Sequence, residues 1–519
     1  MSRATTSNRD SSDVIALLER SSSDIGRAEP VSPDSFRLSP LYEAGKSRRS
    51  EDRKLGDETY DAPRFEDFEL LDEPAEDEYG YVYGDGSPGR RYEPPPLDFG
   101  AELDNSPKNG MKMAFMNMAN SIIGAGIIGQ PYALRQCGLA TGVALLVGLT
   151  VVIDWTINLM VVNAKLSGTV TYQETVRYCF GKTGYVAISL AQGLFALGGS
   201  IAFCVIVGDT IPPVFRAFFP GLEDTPVLGL LTQRNPVVLA CILGVSLPLC
   251  LSRSIANLAK ASALALLSML IIIVSVIVGG IRAPADLRGD FSLRLLTINP
   301  AGVFQGIGVI SFAFVCHHNS LLIYGALRKP TLDRFARVTH WSTGISMVAC
   351  MALGLGGFLV FRDRTQGNVL NNFADDHDGP GMILINIARL CFGLNMLTTL
   401  PLEIFVCREV ILDFAKLARR DSEEEEAKLS DLAHVVTTVV LVLIALGVAL
   451  ATDSLGIVLE LVGSTSACVL AYILPPLCYL KLTDQSTFRR RVAPFMCVSF
   501  GVVVMIASTT MTIIKAVRD

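Results

Sequence analysis

An all-α polytopic membrane protein is predicted by three features of this 519-residue chain. Half of its residues are hydrophobic and only 18% are charged, apolar runs the length of a bilayer crossing recur along it, and its charge is divided between two unlike parts. Residues 1–108 carry 25 of the 50 acids and 14 of the 44 bases, so the remaining residues are net basic. Rich in Ser, Pro, Asp and Glu, this first part lacks the apolar content to offset the entropy of ordering. It reads as a disordered acidic cytosolic tail. The first 30 residues have no apolar core of useful length, so the first spanning helix is expected to serve as the insertion signal.

A transmembrane domain over 109–519 follows. Apolar runs of about 20 residues, the length a helix needs to cross a bilayer core, lie at 113–135, 139–164, 185–213, 235–252, 255–281 and 300–324. Five more lie at 334–361, 380–407, 430–451, 454–480 and 492–515. The sum is eleven transmembrane helices. Loops on the tail's side hold 18 Lys and Arg against 10 on the other side, which puts the tail in the cytosol and Asp519 across the membrane. The twelve cysteines all lie at or beyond Cys137, mostly inside apolar runs, and read as buried thiols.

The first span carries the most informative segment. Gly124-Ala125-Gly126-Ile127-Ile128-Gly129 has the glycine spacing of a dinucleotide-binding turn, yet it sits within the apolar run Met113 to Leu134. A dinucleotide turn needs a preceding strand, a following helix and an acid about 20 residues on; the nearest later acid is Asp154, itself within an apolar run. The glycines therefore predict a spanning helix interrupted at mid-membrane, which survives only where protein or a watery cavity surrounds the freed backbone. Close helix packing is the other use for such glycines.

An inverted-repeat carrier with a broken first helix should show a second break five helices later. There, the run from Gly306 to Tyr324 places Cys316, His317, His318, Asn319 and Ser320 in the middle of an apolar span. A continuous lipid-facing helix would not tolerate them at that depth, so they line a break or cavity, or pack between helices as hydrogen-bonding links.

SIIGAGIIGQPYALRQCG at 121–138, FAFVCHHNSLLIY at 312–324 and LTTLPLEIFVCREVI at 397–411 together resemble the amino acid/auxin permease family. Within it the chain resembles the fungal vacuolar and solute carrier family 38 branches. The likeness covers about residues 108–515. It implies a LeuT-type five-plus-five inverted repeat, with repeat one at about 113–281, repeat two at about 300–480 and an extra helix at about 492–515.

An amino acid presents a carboxylate and an ammonium, and broken helices can meet both. The N–H groups from Gly126 to Gly129 suit the carboxylate, and carbonyls near Ile122, Ile123 and Phe314 suit the ammonium. The expected substrate seat is Ser121, Ile122, Ile123, Gly124, Ala125, Gly126, Gly129, Phe314 and His317. The resemblance implies that Asn120 and Thr399 match positions lining a cation site in sodium-coupled relatives, and both supply oxygen to a hard cation. The intramembrane titratable residues Asp154, His317, His318, Glu403 and Glu460 are the alternative, proton-carrying set; Arg389 is a candidate partner for one of these acids. Proton coupling is favoured over sodium, and no cofactor or metal is expected.

Three further signals are weaker. Tyr172-Gln173-Glu174 opens a polar stretch that reads as an inner gate or an interfacial helix. Asp421 to Glu426 reads as a solvated loop. Asp13 to Leu18 and Glu66 to Leu71 match acidic dileucine patterns that engage sorting machinery for vacuoles or lysosomes.

The expectation is a monomeric secondary transporter of neutral amino acids, working by alternating access in a vacuolar or lysosomal membrane, with the plasma membrane as the other location. An amino acid sensing transceptor, signalling through the tail, is the second reading. An ion-channel filter, an HExxH metal site and a nucleophile elbow are missing from the sequence, as is any basic patch for nucleic acid.

Overall fold

The structure is a computed structural model describing residues 109–251, 262–373, 380–419, 431–483 and 488–518. The tail at 1–108 with its two dileucine patterns and the acidic run Asp421 to Glu426 lie outside the described residues.

The first crossing comes in three pieces. Helix α1 (Met111–Ile123) ends at Gly124, a 3-10 turn covers Ala125–Gly129, and α2 (Gln130–Cys137) resumes the helix with Pro131 in its first turn. Proline is preorganised for that position, because the N–H it lacks would have no partner inside the helix. Next comes α3 (Leu139–Ser167), closed by Gly168 in the left-handed conformation. Helix α4 (Tyr172–Phe218) starts where the Thr171 hydroxyl accepts from the Glu174 N–H, an N-cap that satisfies one orphan donor. Its Gly181, at φ 66° and ψ −151°, splits a short amphipathic start from the long span.

The fourth crossing is α5 (Arg234–Cys241), a π turn at Ile242–Ser246 and α6 (Leu247–Leu251). Helix α7 (Ser262–Arg282) and the single turn α8 (Leu293–Leu296) lead to the sixth crossing. That crossing is α9 (Val303–Phe314) and α10 (His317–Ala326), parted at Val315 and Cys316. Then follow α11 (Leu332–Phe361), α12 (Pro380–Arg419) and α13 (Asp431–Ala451). The tenth crossing joins α14 (Leu455–Val462) to α15 (Leu474–Leu482) through π turns at Gly463–Ala467 and Val469–Ile473. Helix α16 (Phe488–Arg518) is last.

Among the described residues ten helices are long and apolar enough to cross a membrane. The first crossing is not one of them, because its break leaves no single helix of sufficient length. The expected spans recur as helices, several of them longer than the apolar runs: α4 reaches back to Tyr172 and α12 on to Arg419. Hydropathy registers only the part that lies in hydrocarbon, whereas helices continue into the water on either side.

The centre of the bundle is packed at glycines. On α4, a Cβ at Gly198 would lie 2.3 Å from Val462 Cγ2, and one at Gly193 would lie 3.1 Å from Val410 Cγ1. The small residues let α14 and α12 approach the α4 backbone, as helix pairs in lipid require when no hydrophobic force distinguishes neighbour from solvent. Large apolar side chains on the outside, such as Val151, Trp341 and Val348, are exposed and suit a lipid surface. All twelve cysteines are free thiols, and all but Cys241 and Cys391 are buried.

Candidate substrate and ion site

The two breaks lie side by side. A Cβ built on Gly126 would sit 2.3 Å from Ala313 Cα, so the 3-10 turn of the first crossing rests directly on the last turn of α9. Gly129 is as tightly held: a Cβ there would meet Leu459 Cδ1 at 2.6 Å. Gly124 differs, since its Cβ would find only the Asn120 and Ser121 carbonyl oxygens, at 3.7 and 3.8 Å. The close approach that the sequence reserves for a ligand at Gly126 is thus taken by protein backbone, and the open position is Gly124. A second tie holds the start of the first crossing to the end of the sixth: Asn109 N–H donates to Ala326 O at 2.7 Å, and Arg328 N–H donates to Asn109 O at 3.0 Å.

Helix ends supply the polarity of the site. The Gly124 N–H caps α1 by donating to Asn120 O, so the ladder stops and the carbonyls of Ser121, Ile122 and Ile123 are at a helix C-terminus, the negative end. The side chains of Ile122 and Ile123 are buried in the core, which leaves their backbone for any role in the seat. Similarly, α9 ends at Phe314, itself buried, with Val315 N–H donating to Ser311 O. Opposite it, α10 begins at His317 and offers N–H groups at a positive end. Ala125 and Gly126 are buried in the 3-10 turn, and Gln130 Nε2 donates to the Gly126 carbonyl at 3.0 Å.

The polar run of the sixth crossing divides its tasks. His317 is fully buried and its Nε2 lies 3.0 Å from Thr156 Oγ1 on α3, an interhelical link. His318 and Asn319 turn toward the first crossing: Asn319 Nδ2 is 2.9 Å from His318 Nε2 and 3.5 Å from Ser121 Oγ. A polar string therefore bridges the two breaks. The His318 ring lies 5.3 Å from the Phe195 ring of α4, and Phe195 in turn lies 5.5 Å from Phe312.

Glu403 of α12 lies one α4 turn beyond Phe195, where a Cβ on Gly199 would be 3.5 Å from its Cδ. Its Oε2 is buried and has no hydrogen-bond partner. Glu460 is buried too but fully engaged: Tyr132 OH donates to Oε1 at 2.8 Å, Gln136 Nε2 to Oε1 at 3.4 Å and Thr512 Oγ1 to Oε2 at 3.4 Å. Asp154 sits apart from both, with Oδ2 2.7 Å from His340 Nδ1 and Oδ1 accepting from Thr343 Oγ1 at 3.0 Å. Those bonds join α3 to α11. Arg389 donates to the carbonyls of Leu370 and Phe373 and to Asn386 Oδ1.

Of the cation pair, Thr399 donates its hydroxyl to Asn395 O of its own helix at 2.7 Å. No hydrogen bond among the described residues joins Thr399 to Asn120, and no group of three His, Cys, Asp or Glu among them could hold a metal. Ser121, Gly124, His318 and Asn319 are thus brought together; Asp154 and Glu460 lie elsewhere. Phe195, Gly199 and His340 carry no motif in the sequence, and Tyr132, inside the segment at 121–138, has no role predicted there. Only the glycine spacing of Gly193, Gly198 and Gly199 hints that α4 passes close to the site.

These features define a multi-pass membrane carrier whose polar centre is built from interrupted helices. The chain belongs to the family described as transmembrane amino acid transporter protein, whose sequence profile matches residues 107–514. It is similar to the vacuolar amino acid transporter 2 of Saccharomyces cerevisiae, 44% identical over 421 residues that cover 80% of this chain and 85% of that one. It is also similar to the putative sodium-coupled neutral amino acid transporter 11 of Danio rerio, 36% identical, covering 78% of this chain and 86% of the relative. Among solved structures, MhsT in complex with L-phenylalanine matches with 14% identity and a TM-score of 0.48, over 76% of this chain and 98% of that one. The family is one of transporters, not enzymes.

Proposed function

We propose that the chain is a secondary active transporter of neutral amino acids in which the substrate sits between the breaks of the first and sixth crossings. The observation carrying this is the open Gly124 at the C-terminus of α1, with Ser121 of the same helix end linked to Asn319 and His318 of the second break. The negative end of α1 suits the ammonium, and the positive end of α10 suits the carboxylate. The sequence points the carboxylate to the N–H groups from Gly126 to Gly129; Ala313 against Gly126 and Leu459 against Gly129 favour α10 instead. The near side chains Ser121, Asn319 and Phe195 carry no charge, which suits a neutral substrate.

Proton coupling is the ion reading this geometry supports best. Burying an unpaired carboxylate costs several kcal/mol, and a proton taken up there neutralises the charge. Glu403 offers one buried oxygen, Oε2, without a hydrogen-bond partner, beside the α4 face on which the His318 ring packs. Thr399 donates its hydrogen to its own helix and keeps its oxygen lone pairs free for a cation, and the name of the Danio rerio relative favours sodium. The yeast relative's name supports a vacuolar membrane, and the basic loops support a cytosolic N-terminal side.

The test is uptake of tritiated neutral amino acids into proteoliposomes holding the full chain. A pH gradient without sodium is expected to drive accumulation at least tenfold above equilibrium. Accumulation under a sodium gradient alone, with none under a pH gradient, would reverse the ion assignment.

A further inference from the structure

The start of α4, from Tyr172 to Phe180, is a short amphipathic helix set off from the long span by Gly181. Tyr172, Val176 and Cys179 recur at helical spacing and are buried, whereas Glu174, Arg177 and Tyr178 are exposed. The buried face lies on the tenth crossing. Tyr172 OH donates to Leu470 O at 3.0 Å, and about two turns further on Cys179 Sγ donates to Cys478 O at 4.0 Å. The two cysteine side chains also interact directly.

The two thiols differ in reach. Cys478 is fully enclosed, while Cys179 is 8% exposed and lies near the exposed Lys481, whose charge acts on it. A cation beside a thiol favours the thiolate, which is the form that attacks an oxidant. Cys179 is therefore placed to react first and Cys478 to resolve the product. Two residues beyond Cys179, a Cβ on Gly181 would meet nothing within 4 Å. The backbone has room to turn there, so the short helix can follow as the sulfurs close to the roughly 2.05 Å of a disulfide.

The tenth crossing connects this pair to the first break. Helix α15 joins α14 through two π turns, a geometry that concentrates at functional places in helices, and α14 sets Leu459 against Gly129 and Gly456 against Tyr132. A carrier that opens to each side in turn moves such elements past one another. We propose that Cys179 and Cys478 are a redox-sensitive pair, closed by a hydroperoxide into a disulfide that fastens the start of α4 to α15 and arrests transport. The Cys179 thiolate attacks one peroxide oxygen, breaking the O–O bond to give a sulfenic acid and releasing hydroxide or alkoxide. Cys478 sulfur then attacks the Cys179 sulfur, and the sulfenic oxygen leaves as water with the Cys478 proton. Two electrons pass from the sulfurs to the peroxide, and a thiol reductant returns them. The arrest rests on the reading of the chain as a carrier; the bond does not.

The experiment uses the full chain, reduced and then treated with hydrogen peroxide, in detergent and in proteoliposomes. Peptide mapping without reductant is expected to find Cys179 joined to Cys478, with a raised thermal midpoint. Uptake of tritiated neutral amino acids is expected to fall at least tenfold and to return on addition of dithiothreitol. Cys179→Ser and Cys478→Ser are each expected to transport as wild type and to resist peroxide. Should a serine variant misfold, the wild-type map and its reversal by dithiothreitol still decide the bond. Another pairing, or none, in the folded protein overturns the redox pair; the bond formed with uptake unchanged, or inhibition persisting in both variants, overturns the arrest. Absence of uptake before oxidation counts against the carrier reading and with it the arrest, while the map and the midpoint still report on the bond.

Discussion

Glu403 and Glu460 are two glutamates in one bundle, one half-buried and one fully buried, and their surroundings separate them. Glu460 receives three donors from α2 and α16 and acts as a polar rivet between the first and last crossings. Glu403 has a buried oxygen with no donor at all. A carboxylate whose oxygens meet protein donors is fixed in place by them, whereas a buried carboxyl oxygen without a donor is costly unless something bound there meets it. One residue fastens the fold and the other is available for work.

The comparison is sharpened most by Glu403→Gln. It is expected to abolish accumulation driven by a pH gradient, by at least tenfold, while amino acid counterflow between equal pH compartments persists; accumulation that survives the change would remove Glu403 from coupling. Glu460→Leu removes the acceptor shared by Tyr132 OH, Gln136 Nε2 and Thr512 Oγ1 and is expected to cost about 1–3 kcal/mol, read as a lower thermal midpoint, with transport per folded molecule retained. A variant that folds normally but loses pH coupling would exchange the roles of the two acids.

The glycines of the first break give a matched pair. Gly126→Ala drives a methyl group into the Ala313 backbone and is expected to destabilise by about 1–3 kcal/mol or more, through overpacking. Gly124→Ala meets only ordinary contacts, so the protein should fold as wild type while uptake falls several-fold through a raised KM. Equal thermal midpoints for the two variants would show that the close approach at Gly126 does not hold the break in place. The smallest effect belongs to His340→Ala. His340 is 61% exposed, and a pair in that setting contributes about 0–1 kcal/mol, so stability should hardly change.

Much of this was legible in the sequence because membrane helices announce themselves by composition. The breaks were legible too: glycines at 124 and 126 and two histidines in an apolar run are each costly in lipid and need a cause. The surroundings of the acids were not. Asp154, Glu403 and Glu460 look alike in sequence, and what distinguishes them comes from partners far along the chain, such as His340 for Asp154 and Tyr132 for Glu460. Gly126 was legible as a place of close approach, but whether ligand or backbone approached it depended on Ala313, nearly 190 residues away.

Proton movement itself is the most direct probe of the account. In proteoliposomes carrying a trapped pH-sensitive dye, addition of a transported neutral amino acid to wild type should move protons in step with tritiated substrate, and Glu403→Gln should exchange substrate with no proton signal. Equal proton movement in the two proteins, or substrate-driven flux in wild type without any pH change, would contradict the central claim that Glu403, whose Oε2 has no hydrogen-bond donor beside the paired breaks, carries the coupling ion.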